Sequence, residues 1–159
     1  MLILCLILFP MLSALVLYVL GRRHRTVLAW GAIVCTAVEW ILSAVLVLCP
    51  QTVTVPGVLL SGMTFGTDGF RTCYGLLAAI LWLGSALFSV EYFRDEPEHM
   101  PSYWAFMLLT LGAMEGLFLS ADFMTAFYFF EMLSLCSFPW VMHERSAEAI
   151  RAGCTYLAV

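Results

Sequence analysis

The chain contains no lysine, and charged residues of all kinds make up only 11% of its 159 residues. A soluble domain has about 25% charged and about 45–50% apolar residues, whereas this chain is 63% apolar. A globule of this length leaves a large share of its surface in water and cannot bury so many apolar side chains. The composition therefore predicts an integral membrane protein, in contact with the lipid bilayer.

Recognisable cofactor motifs are also missing from the sequence. Neither G-x-x-x-x-G-K nor G-x-G-x-x-G occurs, so no nucleotide site is predicted. The six cysteines show no C-x-x-C spacing, and the three histidines lie in or beside loops, which disfavours an iron–sulfur cluster, a zinc site or a membrane haem. A net charge of −4 with arginines scattered through loops disfavours nucleic acid as a partner. We expect no cofactor and no metal, and an enzyme acting alone is the least favoured class.

Five apolar runs are long enough to cross a bilayer as helices, which takes about 20 residues. The predicted spans are Met1–Leu20, Thr26–Leu48, Phe70–Phe93, Ser102–Leu119 and Phe123–Met142. Ala149–Val159 begins a sixth span that is too short to cross, so we expect the chain to be the truncated first part of a longer protein. The predicted fold is all-α, with about five complete transmembrane helices and the start of a sixth.

Three features lie between these spans or at their starts. The segment 49–68 breaks the helical pattern with Pro50, Pro56 and several glycines, and its short β-branched stretches predict an extended or hairpin-like surface loop. Asp122, just before the fifth span, is a natural helix N-cap. Asp68 and Arg71, spaced i, i+3, are expected to form a local pair at the start of the third span.

The arginines predict the orientation of the spans. When the spans alternate in direction, Arg71 falls on one side of the membrane and all other arginines fall on the opposite side. The positive-inside rule makes that opposite side cytoplasmic, so the N-terminus is predicted to lie outside. The cytoplasmic set is Arg22, Arg23, Arg25, Arg94, Arg145 and Arg151.

Three carboxylates lie well inside the predicted spans, away from their ends, and an unpaired charge there costs at least about 2.5 kcal/mol, so each is a functional-site hypothesis. Glu131, near the middle of the fifth span, is the sharpest candidate for a proton relay. Tyr128 and Ser134, one turn to either side, could offer it hydroxyl groups. The alternative for Glu131 is a packing role with a hydrogen bond to a neighbouring polar group.

The other two carboxylates are weaker candidates for a proton path. Glu115 lies about five residues from the outer end of its span, where it is either a water-exposed entry carboxylate or one that simply reaches the interface. Glu39 lies deeper, about 20 Å along its helix from Thr26, and is expected to pair with a polar group on another helix or subunit.

The segment Leu111–Leu157 resembles the antiporter-like membrane subunits shared by respiratory complex I (NADH:quinone oxidoreductase), Mrp-type cation/proton antiporters and membrane-bound hydrogenases. The family pattern reads like G…G…F…S.D…F..FFE..SL.S, and Thr67–Phe70 also resembles the start of the family's third helix. The first 60 residues match only in hydropathy. The matching positions are Gly112, Gly116, Phe118, Ser120, Asp122, Phe129, Phe130, Glu131, Ser134, Leu135 and Ser137.

The resemblance implies a fourteen-helix subunit with two inverted five-helix repeats, an architecture found among repeat-built transporters. Residues 1–101 would then hold the first three helices, and 102–159 would begin the first repeat. Glu131 falls on the family's essential glutamate, whose partner is a lysine on the broken seventh helix. This chain ends before that helix. Glu115 stands where a small residue is expected, and this departure has no explanation in the sequence.

The resemblance therefore implies a subunit that translocates protons, and Na⁺ as a further candidate, across a bacterial inner membrane together with other membrane subunits. Such a subunit would belong to a redox-driven complex, without a redox site of its own, or to a multisubunit Na⁺/H⁺ antiporter. A non-conducting scaffold that docks partner subunits is the main alternative. A self-contained small transporter is a second, and it requires Val159 to be the true end of the chain.

Overall fold

The computed structural model describes residues 1–21, 25–58, 62–93, 100–142 and 146–158. The predicted all-helical membrane fold is confirmed, and each span coincides with a helix to within about two residues at either end. Four of the described helices are long and apolar enough to cross a membrane, and the fifth contains a shorter apolar stretch, Phe123–Pro139. The elements are α1 (Leu2–Gly21), α2 (Arg25–Leu48), β1 (Thr52–Val55), β2 (Met63–Gly66), α3 (Gly69–Tyr92), α4 (Met100–Leu119), α5 (Phe123–Val141) and α6 (Ala147–Ala158).

The loop between α2 and α3 is a β-hairpin, as the alternation of turn and β-branched residues predicts. Strands β1 and β2 pair antiparallel from Thr52 opposite Gly66 to Val55 opposite Met63. Gly57 has a φ of 75°, a conformation that residues with a side chain rarely adopt, which suits it to the turn.

The hairpin lies against the link between α4 and α5. The Ala121 amide donates to the Thr64 carbonyl at 2.8 Å, and Phe65 forms an isolated bridge with Ser120. Phe65 is buried there, edge-on to the ring of Phe129. The hairpin and the α4–α5 link thus lie at the same end of the bundle, as expected when successive spans alternate in direction. Four of the arginines used for that prediction, Arg22, Arg23, Arg94 and Arg145, lie outside the described residues.

Helix α4 is the centre of the bundle and packs against α1, α2, α3 and α5. Small residues let its neighbours approach closely, as in other membrane helix pairs. A methyl group at Gly112 would lie 2.6 Å from Met11 Cγ and 2.8 Å from the Ile7 carbonyl oxygen, both on α1. One turn later, a methyl group at Gly116 would lie 2.2 Å from the ring of Phe129 on α5. Two glycines of the recognised segment therefore set the spacing of α4 from α1 and from α5.

Large apolar side chains cover much of the outer surface of this bundle. Leu12, Leu15 and Val19 on α1 are exposed, and so are Leu81 and Phe88 on α3. Patches of this extent are unfavourable in water but are the normal outer surface of helices in lipid. The distribution of exposed residues agrees with a multi-pass membrane protein.

Candidate functional site

Glu131 lies near the middle of α5, and its side chain is exposed rather than covered by the described helices. Among the described residues it has no recorded hydrogen bond or ion pair. The Ser134 hydroxyl donates to the Phe130 carbonyl at 3.1 Å, so it is not a donor to Glu131. The ring of Tyr128 packs beside that of Phe127, with centroids 6.3 Å apart. The structure therefore does not show the hydroxyl contacts that the sequence suggested for Glu131.

Apart from Tyr128 and Ser134, the face of α5 that carries Glu131 is apolar. Phe127, Phe130 and Leu135 are all exposed beside it, whereas Phe129 is buried against α4 and the hairpin. A carboxylate in such a face at mid-helix cannot point into lipid without a penalty of at least about 2.5 kcal/mol. An ionised Glu131 on this face would therefore need a polar or cationic group opposite it in the membrane.

Glu39 and Glu115 are both buried and lie near each other inside the bundle. Glu39 on α2 is 0% exposed and Glu115 on α4 is 1% exposed. The Ser43 hydroxyl, one turn after Glu39, makes a long 3.5 Å hydrogen bond to Glu115 Oε1. Both oxygens of Glu39 and Oε2 of Glu115 have no hydrogen-bond partner among the described residues. The structure thus brings together two of the three predicted carboxylates and separates them from Glu131.

Glu115 is buried within the described bundle, whereas the sequence suggested exposure to water or a position at the membrane interface. Gly75 on α3 explains how it fits: a methyl group there would lie 2.8 Å from Glu115 Oε2. Sequence reasoning missed both Ser43 and Gly75. The i, i+4 spacing of Glu39 and Ser43 was a usable signal for the first, because such residues share a helix face. The contact with Gly75 needs the packing of α3 on α4, which no local pattern encodes.

Asp122 joins the recognised segment to the hairpin. As predicted, it is the N-cap of α5: Oδ1 accepts from the Thr125 amide at 2.8 Å. Its Oδ2 accepts from the Thr125 hydroxyl at 2.6 Å and from the Thr64 amide of β2 at 3.1 Å. The Thr125 hydroxyl, followed by the Thr125 amide, lowers the pKa of Asp122.

Asp68 and Arg71 form the predicted local pair at the start of α3. The Asp68 carboxylate accepts from the Arg71 amide at 2.8 Å and from its guanidinium group. The Arg71 amide is the main cause of a lowered Asp68 pKa. Arg71 Nε also donates to the Ser120 carbonyl at 3.1 Å, which ties α3 to the α4–α5 link.

Replacing Asp122 by alanine is expected to lower the melting temperature, with an effect that fades in acid. The folded pKa of Asp122 lies below the unfolded value of about 3.9, so its contribution is present above that value and is lost as the pH falls through the folded pKa. Thermal unfolding in detergent at neutral and acidic pH measures this. Asp122→Asn, which keeps one acceptor oxygen, serves as the control and should lose less. If the melting temperatures of the wild type and Asp122→Ala differed by the same amount at neutral and acidic pH, the ionised Asp122 carboxylate would not be the stabilising group.

Comparison with curated sequences finds components of multisubunit antiporters. The chain is 28% identical over 164 residues to a protein of Rhizobium meliloti named as a probable K⁺/H⁺ antiporter subunit, a match that covers 96% of this chain and 30% of the relative. It is 23% identical over 129 residues to a Na⁺/H⁺ antiporter subunit of Alkalihalophilus pseudofirmus, covering 81% of this chain and 14% of that protein. The chain therefore spans less than a third of the length of these relatives. No family model matches the chain.

Comparison with solved structures supports the fold. A chain of the membrane-bound sulfane sulfur reductase, an archaeal respiratory membrane complex, superposes with a TM-score of 0.86 at 20% sequence identity. The match covers 98% of this chain and 33% of that chain. Together with the curated relatives, it confirms the resemblance recognised in Leu111–Leu157: the chain is similar to antiporter-like membrane subunits and forms a multi-pass membrane protein.

Proposed function

We propose that this chain is part of a subunit that moves protons across a bacterial inner membrane in exchange for a monovalent cation, and that Glu131 relays the proton. The observation that carries the proposal is the position of Glu131, which lies at mid-helix, within an apolar face, without a partner among the described residues. A carboxylate kept there at this energetic penalty is a functional group by default. The relatives named as K⁺/H⁺ and Na⁺/H⁺ antiporter subunits support cation exchange as the coupled reaction.

No partner of Glu131 is present among the described residues. The sequence has no lysine, and the face of α5 around Glu131 is mostly apolar. We propose that a cationic side chain from a further helix or a partner subunit covers this face. Its approach would favour the ionised form of Glu131 and its retreat would favour the protonated form, so that the proton is bound and released in alternation. Residues from 102 onward would then form the beginning of the first transport repeat.

Proton exchange in liposomes tests this function directly. The full gene product, purified with its accompanying membrane subunits, is reconstituted with a pH-sensitive dye inside the vesicles. Adding Na⁺ or K⁺ outside should change the internal pH, and an ionophore that collapses the proton gradient should reverse the change. The cation that works identifies the exchanged ion.

Two other outcomes would redirect the proposal. A pH change that requires an electron donor and acceptor instead of Na⁺ or K⁺ would favour membership of a redox-driven complex. No pH change under either condition, from a correctly assembled complex, would favour the scaffold alternative and would overturn proton translocation by this subunit.

A further inference from the structure

A second group of polar residues lies inside the bundle, on the side of α4 that faces α2 and α3. Helices α2 and α4 run in the same direction, towards the hairpin end, so residues of α2 and α4 can be compared by depth. Ser43 and Glu115 lie level with each other, since they are in contact, and Glu39 lies one turn deeper on α2. Glu39 and Glu115 are called the inner carboxylate pair below.

No cation neutralises the inner carboxylate pair within the described residues. Helix α1 has no charged side chain, and its titratable groups are Cys5 and Tyr18. On α4 (Met100–Leu119), Glu115 is the one charged residue. The remaining titratable group of α4, Tyr103, lies near the start of the helix, far from Glu115. On α2, the buried thiol of Cys35 lies one turn below Glu39.

Helix α3 and the hairpin supply no cation either. At the outer end of α3, Arg71 is engaged with Asp68 and with the Ser120 carbonyl. Cys73 and Tyr74 of α3 are exposed, and Glu91 lies near its far end. The strands Thr52–Val55 and Met63–Gly66 contain no titratable side chain.

Two carboxylates this deeply buried cannot both ionise without compensation, because each uncompensated charge costs several kcal/mol. Either protons or a bound metal cation must neutralise them. A hard cation such as Ca²⁺ or Mg²⁺ takes about six to eight oxygen ligands, more than two carboxylates and one hydroxyl provide. A proton needs one oxygen, and three unpartnered carboxylate oxygens are present. The number of available ligands therefore favours the proton over a divalent cation.

We propose that Glu39, Ser43 and Glu115 form a proton-binding site inside the α2–α4 bundle, separate from Glu131, that exchanges its proton with the outer face of the membrane. The proton resides on one of the two carboxyl groups, and the Ser43 hydroxyl donates a hydrogen bond to Glu115 Oε1. This site does not depend on Glu131, since the two lie on different faces of the bundle and share no contact among the described residues.

A cavity at the outer end of the bundle would give the proton its route to this site. It has a volume of about 280 Å³ and lies between the outer ends of α2 and α3; its lining is mostly apolar, and its polar lining residues are Thr67, Asp68 and Thr72. That volume has room for several water molecules, each of which occupies about 30 Å³ in the liquid. Thr72 lies one turn outward from Gly75, and Gly75 is the residue against which Glu115 Oε2 rests. One turn of helix thus separates the cavity from the inner carboxylate pair.

Infrared spectroscopy tests the proposal, because a protonated carboxyl group has a C=O stretch that an ionised carboxylate lacks. The spectra are recorded in H₂O and D₂O on the complete protein in lipid at neutral pH, in the Glu131→Gln background to remove the third carboxylate from the spans. We expect a carboxyl band that shifts in D₂O and is lost when Glu39→Gln and Glu115→Gln are combined. Thr72→Leu, which fills the cavity, should slow the shift after transfer to D₂O by tenfold or more, on the order of the effect of losing one proton-transfer group.

Gly75→Ala is a second variant that leaves both carboxyl groups in place. Its methyl group would lie 2.8 Å from Glu115 Oε2 and must displace the carboxyl group, so the band should move in frequency. Gly84→Ala, on the same helix with no atom within 4 Å of the added methyl group, is the matched control and should leave the band unchanged. An unaltered band in both Gly75→Ala and the double glutamine variant would overturn the proposal, whatever the transport assay on Glu131 shows.

Discussion

Replacing Glu131 by glutamine should reduce cation-driven proton exchange by at least tenfold while leaving the amount and assembly of the protein unchanged. Glutamine has the same shape but cannot release a proton, and a positioned proton-transfer group contributes on the order of 10²–10⁴-fold to a rate. Assembly should survive because glutamine keeps the shape and the hydrogen-bonding capacity of the side chain, and Glu131 makes no hydrogen bond or ion pair with the described helices. The initial rate of the pH change in liposomes, divided by the amount of protein incorporated, measures the effect.

Glu148→Gln is the matched control for this experiment. Glu148 is also an exposed glutamate of this chain, but it lies in the first turn of α6, where a negative charge interacts favourably with the helix dipole instead of facing lipid. Its replacement should leave the exchange rate within about twofold of the wild type, since no proton-transfer step is lost. Unchanged exchange in Glu131→Gln would reject the relay role. Failed assembly of that variant would instead indicate that Glu131 packs against a partner, as the scaffold alternative requires.

The second large effect is expected at Gly112, where alanine should destabilise the bundle by about 1–3 kcal/mol through overpacking. The added methyl group meets the Ile7 carbonyl oxygen at 2.8 Å, and the backbone of α1 cannot rotate away as a side chain can. Helices α1 and α4 would have to separate, and α4 holds Glu115 in place. Unfolding in mixed detergent micelles, followed by circular dichroism, measures the loss of stability.

Gly84→Ala provides the contrast with Gly112→Ala in the same measurement. A methyl group at Gly84 meets no atom within 4 Å, and alanine is favoured over glycine inside a helix by about 0.5–1 kcal/mol. This variant should therefore be neutral or slightly stabilised. A loss of stability as large as that of Gly112→Ala would show that flexibility of the glycine, and not close helix packing, determines the cost.

The helices and their order could be predicted from the sequence because each depends on local properties of the chain. A run of about 20 apolar residues must form a helix in lipid, since every backbone polar group has to be hydrogen-bonded within the segment. Pro50 and Pro56 ended that pattern and located the hairpin. Asp122 was recognisable as a cap because capping takes place within three residues of the helix start.

The arrangement of the carboxylates was predicted less well, because it depends on which helices meet. From the sequence, Glu115 was expected at water or the interface, yet α3 covers it through Gly75. Ser134 was a candidate hydroxyl donor to Glu131, whereas its hydroxyl donates to the Phe130 carbonyl of its own helix. Both differences concern the direction of a side chain relative to neighbouring groups, which hydropathy does not report.

The sequence by itself thus determined that this is a membrane protein, where its helices begin and end, and which three carboxylates lie within them. These properties follow from the free energy of transfer into lipid, which is a sum over nearby residues. Only the tertiary structure decided that Glu39 and Glu115 share a buried site while Glu131 stands apart on an uncovered face. That division results from the packing of α2 and α3 on one side of α4 and of α5 on another, which depends on contacts between residues distant in the chain.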